Sequence, residues 1–333
     1  MKKLTGVLLV LVLGAGAAFA LFEIGVTQPG AGEGYVMFEA RRGESTRSVA
    51  RRLEEEGAIH SATLFEIEAR GLHRGSQVKA GEYRIARELS TRQVVALLLS
   101  GKTFARPVTI REGLTVAEVA LEMEKAGFMS AVDFRAAAAR LAEKIKSGGL
   151  STGSLEGYLF PDTYYFPKSI TPMAAVQVMV DNFRQKVAEA LPGEVVENPE
   201  NLHKLVTLAS IIEKETGAGF ERPIISSVFH NRLKKRMLLQ SDPTVIYSLP
   251  FFDGNIRKKD LSYDSPYNTY RYRGLPPGPI ANPGLESLVA AWRPAETDYL
   301  YFVSKNNGEH HFSKTLAEHN RAVLTFQIKR NRK

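Results

Sequence analysis

The 333-residue sequence contains no cysteine. Disulfide bonds, cysteine-ligated zinc and thiol nucleophiles are therefore excluded. Glycine-rich loops of the kind that cradle phosphate groups are also missing, so no nucleotide-binding motif is present. Histidine is scarce, and His310, His311 and His319 do not match the spacing of a standard metal site, since neighbouring residues of a strand point to opposite faces. We predict neither a metal nor an organic cofactor.

Charged residues are absent from one long stretch near the N-terminus. Two lysines precede an uncharged run over residues 4–22, which at about 19 residues is just long enough to cross a bilayer as a helix. Positive charge before the run keeps the N-terminus in the cytoplasm. We therefore predict a transmembrane anchor over residues 1–23, a glycine-rich linker over 24–34 and an exported remainder. The Ala-Phe-Ala sequence at 18–20 leaves a cleaved signal sequence as the alternative.

Basic residues outnumber acidic ones. Forty-four Lys and Arg against 36 Asp and Glu give a formal net charge of +8. Such an excess suits nucleic acid, anionic lipid or an acidic polymer. Because the chain is expected to be exported, we predict no nucleic acid partner, and a membrane surface or an acidic polymer remains.

A local pattern repeats in the exported part. A strand, a glycine turn, a Ser or Thr cap and an amphipathic helix occur over residues 38–53 and again over 108–120. A third helix of the same kind is predicted from Ser90, after a strand-like segment at 81–85.

The first copy belongs to a larger arrangement. The predicted order strand, helix, helix, strand between Tyr35 and Ile85 resembles the small LysM-type module, which binds N-acetylated glycan chains. We therefore assign residues 35–105 to a LysM-like subdomain and residues 106–333 to a second, larger domain.

An apolar helix in the second domain ends in two carboxylates. Apolar residues at 205, 208, 209 and 212 have the spacing of a core-facing helix, and Glu213 and Glu215 fall in its last turn, where the helix dipole disfavours negative charge. Burial penalises the charged form of a carboxyl group, so a glutamate held there can donate a proton near neutral pH. The alternative is that both glutamates are solvated and that Gly217 simply caps the helix.

The rest of the second domain has several recognisable segments. Residues 155–166 combine five aromatic side chains with Glu156 and Asp162, which suits either a sugar-binding surface or a core. The remaining predicted elements are a helix over 223–238, a stiff proline-glycine loop over 274–284, and a hairpin whose strands, 299–303 and 310–315, flank a turn at 306–308.

Six blocks in this domain together resemble the MltG, or YceG-like, family of endolytic murein transglycosylases. They are Glu213-Lys214-Glu215-Thr216, Asn231-Arg232-Leu233, residues 239–247, Tyr267-Asn268-Thr269-Tyr270, residues 274–280 and Pro283-Gly284. Their order and spacing match from about Tyr35 to the C-terminus, so the resemblance covers nearly all of the expected exported chain.

The resemblance implies an α+β fold with an N-terminal transmembrane helix, a LysM-like subdomain and a mixed α+β catalytic domain. It implies a single-pass protein of the bacterial inner membrane whose catalytic domain faces the periplasm. The substrate would be nascent, uncrosslinked peptidoglycan, cut at the β-1,4 bond between N-acetylmuramic acid and N-acetylglucosamine. The products would carry 1,6-anhydro ends, elongation of the strand would stop, and peptidoglycan synthases are possible partners.

The same resemblance assigns site residues. The family's catalytic glutamate falls on Glu215. The groove that binds the glycan is expected to be lined by Glu156, Gln240, Ser241, Asp242, Thr244, Tyr267, Asn268 and Tyr270. Two other functions stay open: a non-catalytic glycan-binding scaffold for wall synthases, and a two-carboxylate hydrolase with Glu215 as acid and Glu156 or Glu213 as base.

Overall fold

The computed structural model describes residues 2–30, 32–72, 77–146 and 153–328. The chain divides into two compact units. The first comprises Met1–Pro107 and Tyr165–Ile170, and the second comprises Val108–Tyr164 and Thr171–Lys333.

The first unit begins with the apolar helix α1 (Lys2–Thr27). Its segment Gly6–Thr27 is long and apolar enough to cross a membrane, as both an anchor and a signal sequence would be, so the predicted N-terminal apolar helix is confirmed. The helix continues beyond residue 23, and the first four residues of the predicted linker are therefore helical. Packing explains the difference, because Val26 is fully buried and Glu23 forms a 2.9 Å ion pair with Arg92.

A strand, two helices and a strand follow in the first unit, in the predicted order. The elements are β1 (Tyr35–Ala40), α2 (Thr46–Glu55), α3 (Ala62–Leu72), β2 (Gly81–Ala86) and α4 (Thr91–Ser100). The two strands pair antiparallel, and alternate side chains of β1 enter the core. Ser90 caps α4 with a capping box, as its position before the helix predicts.

The second unit is mainly helical. Its helices are α5 (Val116–Lys125), α6 (Ala131–Lys146), α7 (Pro172–Ala190), α8 (Gly193–Val196), α9 (Pro199–Glu215), α10 (Arg222–Lys234), α11 (Asp242–Ser248), α12 (Leu285–Trp292) and α13 (Leu316–Val323). Strands β5 (Tyr301–Ser304) and β6 (His310–Ser313) form a short sheet in this unit, and strands β3 (Ala105–Thr109) and β4 (Thr163–Pro167) each run across the division between the two units. A mixed α+β fold is thus confirmed.

Helix α9 is the central element of the second unit. Asn198 caps its first turn, Pro199 occupies the first helical position, and every residue from Leu205 to Ile212 is buried. The prediction of a core-facing helix is therefore confirmed, and the helix is enclosed on all sides rather than on one. The stiff loop packs on it, since the Ile280 amide donates a 3.0 Å hydrogen bond to Ser210 Oγ.

Two predicted elements differ in length from the structure. Helix α10 ends at Lys234 instead of residue 238, because the chain turns at Arg236, which has a positive φ of 56°. The hairpin is confirmed as the antiparallel pair β5 and β6, with Asn306 and Gly308 at positive φ in its turn.

Candidate active site

Glu215 is the last residue of α9. Apolar side chains of the preceding helical turn lie on one side of it, and polar groups of the segment before α11 lie on the other. Ile211 and Ile212, in the preceding turn, are fully buried. The Ser241 hydroxyl donates a 2.6 Å hydrogen bond to Glu215 Oε1. Burial raises the pKa of Glu215 to about 7; the Ser241 hydrogen bond opposes this shift, the Asp242 charge adds to it and the Arg232 charge opposes it. A carboxyl group with this pKa can give up and take back a proton near neutral pH.

The segment before α11 is fixed so that Ser241 faces Glu215. The Gln240 amide donates to Thr269 O at 3.1 Å, and the Ser241 amide donates to Thr269 Oγ1 at 3.0 Å. Thr244 Oγ1 donates to Ser241 O at 2.7 Å and lies 2.8 Å from Thr269 Oγ1. Gln240 adopts a positive φ of 52° within this bonded segment. These hydrogen bonds fix the backbone of Ser241 and so place its hydroxyl beside Glu215.

Asp242 and Tyr270 form a second polar pair. The Tyr270 hydroxyl donates to Asp242 Oδ1 at 2.5 Å. The backbone of Tyr270 is held by Asn268, whose Oδ1 accepts the Tyr270 amide hydrogen bond at 2.9 Å and whose Nδ2 donates to Tyr263 O at 2.7 Å. Asn268 thus shapes the loop that presents Tyr270.

Glu215 opens onto a cavity of about 300 Å³. Ten residues line it: Glu215, Arg232, Leu239, Gln240, Asp242, Tyr270, Tyr301, Phe302, Leu316 and His319. The sequence prediction named four of them, and three polar members are new, namely Arg232, Tyr301 and His319. Arg232 belongs to one of the sequence blocks that carry the family resemblance, and that block could have indicated it as a site residue. Tyr301 and His319 had no comparable signal.

Glu156 lies apart from this cavity. It is 7% exposed, and its two oxygens accept hydrogen bonds from the Val116 amide at 3.0 Å and from the Tyr247 hydroxyl at 3.3 Å. The Tyr247 ring packs on Tyr267 with centroids 5.0 Å apart. Burial raises the pKa of Glu156 to about 7. Since Tyr247 and Asp242 are five residues apart on α11, the helix rise separates their backbones by about 8 Å along its axis.

The predicted groove residues therefore fall into three groups. Gln240, Ser241, Asp242 and Tyr270 lie at Glu215, whereas Glu156 and Tyr267 lie together at the other end of α11. Thr244 and Asn268 have no exposed surface in this structure, because both side chains make hydrogen bonds that hold the loops, and their place in the groove stays a prediction.

Glu213, the other glutamate of the motif, also has a structural role. Its side chain is 7% exposed. Glu213 Oε1 accepts from Arg222 Nη2 at 3.2 Å, and Oε2 accepts from the Gly284 amide at 2.9 Å. Glu213 thus connects the end of α9 to the start of α10 and to the loop before α12.

Comparisons with known proteins agree with the motif blocks. The model of the YceG-like family matches residues 38–325. A Bacillus subtilis protein named endolytic murein transglycosylase is 35% identical over 306 residues, which are 87% of this chain and 84% of that protein. A Streptococcus pneumoniae protein of the same name is 27% identical, and the match covers 87% of this chain and 58% of that longer protein.

A solved structure gives the same result. The crystal structure of a putative YceG-like protein from Listeria monocytogenes is similar with a TM-score of 0.60 and 33% identity, over 87% of this chain and all of the other. Together with the family match over most of the sequence, these similarities show that the chain belongs to the YceG-like family.

Proposed function

We propose that the chain is an endolytic murein transglycosylase, a lyase of peptidoglycan glycan strands, in which Glu215 acts as acid and then as base. The names of the Bacillus and Streptococcus relatives support the reaction class. The observation that carries the assignment of Glu215 is its place at the C-terminal end of α9, directly after a buried run, where burial raises its pKa to about 7 beside an open cavity.

In the first step, protonated Glu215 donates its proton to the oxygen that joins N-acetylmuramic acid to N-acetylglucosamine. The bond between this oxygen and C1 of the muramoyl ring breaks, and N-acetylglucosamine leaves with the proton. Positive charge develops at C1 and the ring oxygen. The Ser241 hydrogen bond stabilises the carboxylate that Glu215 becomes.

In the second step, ionised Glu215 removes the proton from the C6 hydroxyl of the same muramoyl residue. The C6 oxygen attacks C1, which closes the 1,6-anhydro ring and returns Glu215 to its protonated form. Because the nucleophile belongs to the substrate, the attack gains from proximity and no water is consumed. Neither step requires a second catalytic carboxylate.

A hydrolase needs a carboxylate that activates water or attacks C1 directly. Glu213 and Glu156 are poorly suited, because Glu213 is paired with Arg222 and Glu156 accepts hydrogen bonds outside the Glu215 cavity. Asp242 lies in the cavity and influences the pKa of Glu215, so it is the carboxylate that a hydrolytic mechanism would use. The identity of the product end distinguishes the two reactions.

The remaining assignments follow from the family resemblance and from the first unit. We propose that α1 anchors the chain in the inner membrane with the rest in the periplasm. The strand, helix, helix, strand order from β1 to β2 supports a LysM-like, glycan-binding subdomain. Internal cleavage of nascent strands, an end to their elongation and contact with peptidoglycan synthases are part of the same proposal.

Mass spectrometry of the products tests the reaction. The full chain in detergent is incubated with uncrosslinked peptidoglycan strands, beside its Glu215→Gln and Glu200→Gln variants. Glu200 lies on the same helix and its side chain is 73% exposed, so it controls for a change of charge. We expect 1,6-anhydro ends from the parent and from Glu200→Gln, and none from Glu215→Gln. Reducing ends would establish hydrolysis instead, and strands left intact by the parent would favour a binding scaffold.

A further inference from the structure

We infer that Arg232 and His319 form a subsite in the Glu215 cavity that binds a carboxylate of the glycan substrate. The inference rests on the proposed function, because it names a group of the substrate that the same site recognises.

Arg232 is a buried cation that forms no ion pair with a carboxylate of the described residues, although the charge of Glu215 lies near enough to influence it. The residue is 8% exposed, and it donates to Leu300 O and to Leu239 O, both at 2.7 Å. A longer bond of 3.3 Å reaches Leu238 O, and Gln240 Oε1 lies at 3.5 Å. In the described part of the chain no carboxylate lies within ion-pair distance of Arg232, and its Nη2 amino group has no hydrogen-bond partner. Burial lowers the pKa of Arg232, but a guanidinium stays charged at neutral pH, and its Nη2 amino group is open to the cavity, where it can bond water or a ligand.

His319 lies beside Arg232 with a ring nitrogen that has no hydrogen-bond partner among the described residues. Its Nδ1 is buried and has no hydrogen-bond partner within residues 2–30, 32–72, 77–146 and 153–328. The imidazole stacks on the Tyr301 ring with centroids 5.3 Å apart, and Arg232 Cζ lies 5.2 Å from the centroid of the same ring. Burial and then the nearby charge of Arg232 lower the pKa of His319, so its imidazole is neutral at pH 7 and carries one N–H.

Both side chains line the cavity that Glu215 opens onto. A carboxylate has acceptor capacity for a guanidinium N–H and an imidazole N–H at once, and bonds with an ionised partner are the strong ones. The other carboxylate in the cavity, Asp242, already accepts from Tyr270.

Peptidoglycan supplies a carboxylate in two ways. A bare strand has the lactyl carboxylate of each muramoyl residue, and a strand with stem peptides has the carboxylates of those peptides. Chitin, which contains N-acetylglucosamine alone, has neither. The subsite would therefore contribute to the choice of peptidoglycan over other N-acetylated glycans.

Binding measurements on the full chain in detergent test the subsite. In these binding measurements, Glu215→Gln replaces the unsubstituted chain as the parent, and the further substitutions are added to it, so that strands are not cut. The probes are soluble uncrosslinked strands, bare or with stem peptides, each with its carboxyl groups free or amidated. We expect amidation to raise the dissociation constant of the parent about tenfold or more, the usual worth of a charge-assisted hydrogen bond. The bare and the peptide-bearing probes show which carboxylate is bound.

Four further substitutions locate the effect. In Arg232→Gln the affinity for free-carboxyl strands should fall about tenfold and amidation should then have little effect, whereas Arg232→Lys should keep part of the dependence. His319→Ala removes a side chain without hydrogen bonds to the described residues, so it decides the question if Arg232→Gln does not fold. Arg321→Gln, an exposed change on the same helix α13, should keep the full dependence.

Equal affinity of the parent for free and amidated strands overturns the inference, as does a dependence that survives in both Arg232→Gln and His319→Ala. The subsite and the proposed transglycosylase activity can be rejected independently of each other. Carboxylate-dependent binding without anhydro products from the chain with Glu215 intact rejects the transglycosylase and keeps the subsite. Cleavage to anhydro ends with no such dependence rejects the subsite alone.

Discussion

Ser241 Oγ donates a 2.6 Å hydrogen bond to Glu215 Oε1 across 26 residues of sequence. The bond joins the C-terminal end of α9 to the N-terminal end of α11, and both ends are held independently by buried residues. A hydrogen bond from a neutral hydroxyl favours the ionised carboxylate and so lowers its pKa. Ser241 therefore opposes the burial of Glu215 and keeps its pKa within the range where one group can both donate and accept a proton.

Loss of this hydroxyl should shift the pH dependence of the reaction. In Ser241→Ala the carboxylate of Glu215 loses its donor, so the pKa of Glu215 should rise, by about one pH unit if the bond is worth about 1.4 kcal/mol. The first step needs protonated Glu215, so the fall in rate on the alkaline side should move to higher pH, with a lower maximal rate. Rates of anhydro-end formation between pH 5 and pH 9 measure the shift.

Ser248→Ala is the matched control, because Ser248 lies at the other end of α11 and donates to Val245 O of the same helix. Its profile should follow that of the unsubstituted chain. An unchanged alkaline limb in Ser241→Ala would mean that the hydrogen bond does not set the pKa of Glu215.

Glu156 should make the fold less stable at higher pH. Burial raises its pKa from 4.5 to about 7 in the folded chain. The folded state therefore holds the proton more tightly than the unfolded state, so the stabilisation is complete below pH 4.5 and is lost as pH rises through 7. The full shift corresponds to about 3 kcal/mol. Glu156→Gln should remove this part of the dependence, as measured by the free energy of unfolding between pH 4.5 and pH 8.

The exposed Glu54→Gln, in the first unit, controls for the change of charge and should leave the pH dependence as it is. Glu215 has a similarly raised pKa and that of Glu112 is also raised, so Glu156→Gln should retain a remainder that becomes smaller when Glu215→Gln is added. A slope unchanged by Glu156→Gln would contradict the assigned protonation.

The helical part of the site could be predicted because its determinants are local. The apolar spacing before Glu215 forecasts a core helix, and the structure has α9 there, fully enclosed up to Ile212. The cap at Ser90 and the turn at Asn306 are predictable for the same reason, since a side chain and its own neighbours settle them.

The rest of the cavity depends on distant contacts. Tyr301 and His319 meet Arg232 only through the packing of β5 and α13, and no local pattern marks either one. Thr244 and Asn268 show the converse case, because they belong to recognisable motif blocks and are buried loop supports in this structure. A motif indicates that a residue matters at a site and does not show whether its side chain reaches the ligand or holds a neighbour in place.

Arg222 should be essential to the stability of the end of α9. Its side chain is 13% exposed and that of its partner Glu213 is 7% exposed. Arg222→Met should cost about 3 kcal/mol in the free energy of unfolding, because it leaves the charge of Glu213 buried and unpaired. Arg222→Met combined with Glu213→Gln should recover part of that loss. A double-mutant cycle from denaturant unfolding checks this, and strictly additive losses would contradict the pairing.

Gly157 should tolerate no side chain, because an added Cβ would clash with its neighbours. This steric effect can be separated from the effect of its backbone conformation. It has a φ of +87°, and an added Cβ would lie 2.6 Å from Pro279 and 2.8 Å from Val206 of α9. Gly274 has the same φ, but an added Cβ there would have no atom within 4 Å. Gly274→Ala should therefore cost about 1 kcal/mol from the left-handed backbone alone, and Gly157→Ala should cost at least about 2 kcal/mol more from the clash. Free energies of unfolding for the two variants measure the difference. Equal losses would show that the stiff loop moves away from Gly157 at little cost, whereas the larger loss would show that this loop is held rigidly against α9.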